Sequence, residues 1–106
     1  MPVTDPRTAV AKLWEAHQQA PFPGRLRSTD VAGTCMVLLD SAVAGCVSTW
    51  LQAGHIDDRL WDILAAREQD LLRVVPELRD GEALYYQRLL DMAVLILEAP
   101  DGPPPA

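Results

Sequence analysis

The chain has 106 residues, 49% of them hydrophobic, with 15 acidic against 9 basic side chains and a formal charge of −6. That length fits one compact domain and excludes a multidomain enzyme. Lys12 is the sole lysine, and no Lys/Arg cluster is present to neutralise a run of phosphates, which argues against a nucleic-acid-binding role.

The first residues lack the basic segment and long apolar run of a secretory signal, and a cytoplasmic location is expected from two cysteines, Cys35 and Cys46, that are read as reduced. The first helix is predicted over 5–20. Asp5 is placed to cap it, Pro6 suits its first position, and Val10, Leu13, Trp14 and His17 recur on one face. His17 closes that apolar face, where a partly buried structural histidine is the ordinary explanation. Pro21 ends the helix, and Pro21-Phe22-Pro23-Gly24 reads as a loop.

Phe22, Arg25 and Arg27 in this loop are a candidate anion- or partner-binding site. Two of the few basic residues stand beside an aromatic, just ahead of an expected helix N-terminus, and arginines with free helical N–H groups hold phosphates or carboxylates. The simpler reading, which we prefer, pairs Arg25 and Arg27 with Asp30 or water and lets Leu26 plug the loop onto the core.

The second helix is predicted over 29–53, opened by the cap-forming run Ser28-Thr29-Asp30 and closed by Gly54. A strand over Met36–Leu39 is the competing reading, but the apolar run continues through an alanine-rich stretch with no turn signal. Cys35 and Cys46 then lie about 16 Å apart along one helix, too far for a disulfide, and act as small hydrophobes on its inner face. Val31–Leu51 has the length of a bilayer span, but Asp40 at its middle and four hydroxyl residues argue against a membrane role.

The helical wheel of this segment shows two apolar arcs. Leu38, Ala42, Cys35, Cys46, Leu39, Trp50, Val43, Met36 and Val47 cover one half. The other half carries Thr34, Ser41 and Ser48 at seven-residue spacing, Gly45 among them, and a parallel row of Val37, Ala44 and Leu51, with only Asp30, Asp40 and Gln52 strongly polar there. Small residues let helix backbones approach, and rows spaced by seven suit a nearly parallel partner helix. Either this helix is central in its own bundle, or Val37, Ser41, Ala44, Gly45, Ser48 and Leu51 form an interface for self-association.

The third helix is predicted over 57–75. Asp57 caps it, Ile56 and Trp61 have hydrophobic-staple spacing, Leu60, Leu64, Leu71 and Val75 continue a stripe, and Pro76 stops it. His55 with Asp57 and Asp58 makes a weak ion site, since Asp57 already serves as a cap. Neither HExxH nor ExxH occurs, so no metal or cofactor is expected. The fourth helix is predicted over 80–98, with Tyr85, Tyr86, Leu89, Ala93, Ile96 and Leu97 inward and Gln87, Arg88, Asp91 and Glu98 outward. The similar hexapeptides at 38–43 and 89–94 raise the idea of paired carboxylates, Asp40 with Asp91. Asp91 falls on the solvated face, and the likeness is read as coincidence.

These elements predict an all-α, up-down-up-down four-helix bundle over 1–99, followed by a disordered proline-rich tail over 100–106. No nucleophile–base pair, phosphate loop or metal motif marks an enzyme. The expected function is non-enzymatic: protein–protein contacts with an unknown partner, and homodimerisation through the second helix. The alternative is a small-molecule site or an enzyme between the helices, lined by Trp14, His17, Trp50 or Tyr86. Mimicry of nucleic acid has only charge in its favour, and the acids are scattered.

Overall fold

The computed structural model describes residues 5–99, and its helices fall where apolar period and punctuation put them, except at the start of the second. They are α1 (Pro6–Gln19), α2 (Met36–Ala53), α3 (Asp58–Val74) and α4 (Asp80–Glu98). The expectation of a disordered tail falls outside the described residues. Pro6 occupies the first turn of α1, but the exposed Asp5 carboxylate makes no capping bond. Asp57 does cap α3, accepting from the Leu60 amide at 2.8 Å. Gly54 ends α2 with φ of 84°, a left-handed conformation that glycine adopts without a Cβ clash. Pro76 lies in a 3-10 turn, Val75–Glu77, that stops α3 at Val74.

The expected helix over 29–35 is not formed. Asp30–Val31 (β1) and Thr34–Cys35 (β2) pair instead as a minimal antiparallel hairpin. Its two-residue turn has Ala32 at φ 51° and Gly33 at φ 76°. Two successive positive φ values define the turn geometry that matches the twist of paired strands, and glycine supplies one of them cheaply. Inside a helix Gly33 would instead cost about 1 kcal/mol. The residues read as successive N-caps therefore serve a turn, and α2 starts at Met36. Cys35 becomes an exposed N-cap residue and not a member of an apolar helical face, whereas Cys46 is buried as expected.

The buried side chains of all four helices and of Leu26 form one cluster. Both α2 and α4 pack against every other helix, while α1 and α3 share little contact. α4 buries Tyr85, Tyr86, Leu89, Ala93 and Ile96 on the expected face, and Leu90 and Met92 beside them. Leu97 is only half-buried. Leu26 is buried under the 3-10 turn Gly24–Arg27, so the loop after α1 is plugged onto the core as the simpler reading held.

Candidate functional site

α2 carries a single charged residue, Asp40, and the fold turns it toward the other helices. Its carboxylate accepts from the Tyr85 hydroxyl of α4 at 2.7 Å and lies 3.0 Å from Nε2 of His17 on α1. The His17 side chain is 6% exposed and that of Asp40 17%. The imidazole is held between the rings of Trp14 and Tyr85, at centroid distances of 5.9 and 4.6 Å. Its Nδ1 has no partner among the described residues. Next along α4, the Tyr86 hydroxyl donates to the Met36 carbonyl at 2.8 Å, fastening α4 to the first turn of α2.

Burial pushes both phenols well above the usual tyrosine range; the hydrogen bond to Asp40 and its charge add to this at Tyr85, and the Asp40 charge adds at Tyr86. His17 faces a carboxylate and two aromatic rings. The geometry therefore supports a polar cross-link of three helices.

Beside this network, the Tyr85 ring forms part of an open cleft of about 690 Å³, with Phe22, Leu84, Arg79 and Arg88 on its walls. Of the candidate residues Phe22, Arg25 and Arg27, only Phe22 lines it, beside Pro21 and Pro23 of the same loop. Arg25 is committed elsewhere: it forms a two-point fork with Glu82, at 2.9 Å and 2.7 Å, and not the expected pair with Asp30. The hydrogen bond and charge of Glu82 raise the Arg25 pKa, and the same bond lowers that of Glu82. The Arg27 guanidinium lies 5.4 Å from the Phe22 ring centre. Arg88, expected on the outer face, is half-buried and lines the cleft. Its Nη1 is closed to solvent without an acceptor.

The outer face of α2 is the second feature. Leu38 is 68% exposed and Val37 38% exposed, Ser41 and Gly45 are exposed, and Ala44, Ser48 and Leu51 are half-buried. Leu38 was expected inward; the buried arc is centred on Met36, Leu39, Val43, Cys46 and Val47, and successive turns of 100° carry Leu38 outside it. A Cβ added at Gly45 would meet nothing within 4 Å. The hydroxyl of Thr49 donates to the Gly45 carbonyl at 2.9 Å, and Gln52 donates to the Ser48 hydroxyl at 3.3 Å. Much of the face's polarity is thereby satisfied within the helix.

The remaining candidates are dispersed. Asp91 is exposed and accepts from Gln87 at 2.9 Å, so it shares no site with Asp40. Trp14, His17, Trp50 and Tyr86 do not line the 690 Å³ cleft. His55 is exposed, and among the described residues no three His, Cys, Asp or Glu side chains assemble to hold a metal ion. The signal for the Asp40 network was present as the only charge of an apolar helix. What sequence could not supply was its angular position relative to His17 and Tyr85. No protein-family model, curated protein or solved structure matches the chain, so function rests on the geometry alone.

Proposed function

We propose that the protein acts through protein contacts and forms a homodimer across the outer face of α2. The observation that carries this reading is a mismatch between apolarity and burial. The 18 residues of α2 have a mean hydropathy of 1.3, yet only 28% of them are buried. Leu38 is the most exposed large hydrophobic side chain described. An apolar helix face left open gains free energy when another surface covers it, at about 25 cal/mol per Å².

Charge selects the occupant. The only ionisable carboxylate of α2 turns inward to His17 and Tyr85, so the outer face is uncharged on a chain with net charge −6. Two copies of an acidic protein meet with least repulsion across such a face, and the open space over Gly45 admits a close helix approach. Length and composition alone would also let α2 cross a membrane. Withdrawing it into lipid would break the His17–Asp40–Tyr85 links, which favours a protein partner. The exposed, unpaired Cys35 suits a reducing, cytoplasmic compartment.

Sedimentation velocity over a micromolar concentration series tests the proposal. A concentration-dependent dimer is expected, abolished by Leu38→Lys without loss of helical content. A monomer at every concentration would overturn it.

A further inference from the structure

The cleft beside Tyr85 has two unlike walls. One is apolar: Phe22 and Tyr85 meet edge-on at 5.6 Å with 79° between the rings, and Leu84 stands 65% exposed at the rim. The other is polar and carries Arg79 and Arg88 together with the carboxylates Asp80 and Glu82. The chain has only 9 basic residues, so the convergence of two of them on one cleft is informative. Neither makes an ion pair among the described residues.

Arg88 is the more telling of the two. Its half-buried side chain lines the cleft, and its guanidinium is paired with no carboxylate among the described residues. The carboxylate closest in sequence on the lining, Glu82, is held by Arg25 in its two-point fork. Asp80 also lines the cleft and bonds neither arginine. A planar carboxylate is the anion that a guanidinium holds by two parallel hydrogen bonds. An inorganic anion would leave the aromatic wall unused, and a neutral hydrocarbon would leave the arginines unanswered. The volume of about 690 Å³ lies within the range of small-ligand sites.

We propose that this cleft binds a small aromatic carboxylate, its acid group on Arg88 and Arg79 and its ring against Phe22, Leu84 and Tyr85. The proposal is independent of dimerisation through α2, since the cleft is lined by the loop after α1 and by α4.

The test is an NMR titration of the full chain with cinnamate, with cinnamamide and inorganic phosphate as comparison probes. Cinnamate is expected to shift the resonances of Phe22, Leu84 and Tyr85 and to bind at least about tenfold more tightly than cinnamamide. Arg88→Gln and Arg79→Gln are each expected to weaken cinnamate severalfold or more. The exposed position of Arg79 keeps that variant folded if Arg88→Gln is not. The proposal is overturned if the amide or phosphate binds these residues as tightly as the acid. It is equally overturned if folded arginine variants bind undiminished, or if cinnamate shifts none of the three residues.

Discussion

Replacing Asp40 with alanine removes the acceptor shared by α1 and α4. The Tyr85 hydroxyl loses its partner at 2.7 Å, and His17, whose Nδ1 is already unpartnered, loses the contact of Nε2 at 3.0 Å. A buried polar group stranded in this way costs about 1–3 kcal/mol, so two such groups bracket the loss at roughly 2–6 kcal/mol. The Asp40 side chain is 17% exposed, which lets water enter the space it leaves and brings the expectation to the lower end, about 2–3 kcal/mol. For a domain of this size that corresponds to a melting temperature lower by roughly 10–20 °C, read by circular dichroism. Asp40→Asn keeps an acceptor for Tyr85 and should lose only about 1 kcal/mol. An alanine variant melting within about 3 °C of the parent would refute the reasoning, because both groups would then be as well satisfied without the carboxylate.

Three other outcomes follow from the same geometry. The chain has only 2 tyrosines, both buried, and their folded-state phenols titrate above the ordinary value. Their contribution to stability is therefore complete below about pH 10 and is lost as pH rises from there toward the folded-state values. Tyrosinate absorbance should rise only with cooperative unfolding; a tyrosinate step near pH 10 in a still-native fold would contradict the burial. At Gly45, where an added methyl meets nothing, alanine should stabilise the dilute protein by about 0.8–1 kcal/mol in a thermal melt, and a loss of stability would show that the site is not open. Cys35 should react with a thiol reagent in the native protein. The Cys46 thiol, whose pKa burial raises, should react only after denaturation.

Helix existence was legible because it rests on local signals. Asp57 caps α3 through its own Oδ1, Gly54 takes the left-handed terminal position, and Pro76 coincides with the end of α3. The start of α2 was not legible for an equally local reason. Ser, Thr and Asp favour helix caps and turns alike, and the Ala32-Gly33 pair decided for a turn. Placing α2 also required knowing which arc faces inward. A nearly uncharged helix gives the wheel little contrast, so Leu38 was assigned to the wrong side and Asp40 to the outer half. Of the loop residues singled out as a candidate anion or partner site, Phe22 lines the cleft, while Arg25 is held by Glu82 and Arg27 lies over the Phe22 ring. Arg79 and Arg88 come to that cleft through tertiary packing, which spacing along α4 does not encode.

The central claim is that a second copy of the chain covers the outer face of α2. Isotope-filtered NOE spectra of an equimolar mixture of labelled and unlabelled protein test it most directly. The account predicts intermolecular contacts to the methyl groups of Val37 and Leu38 and to the Gly45 Hα. Intermolecular contacts confined to other surfaces, or none at millimolar concentration, would contradict it.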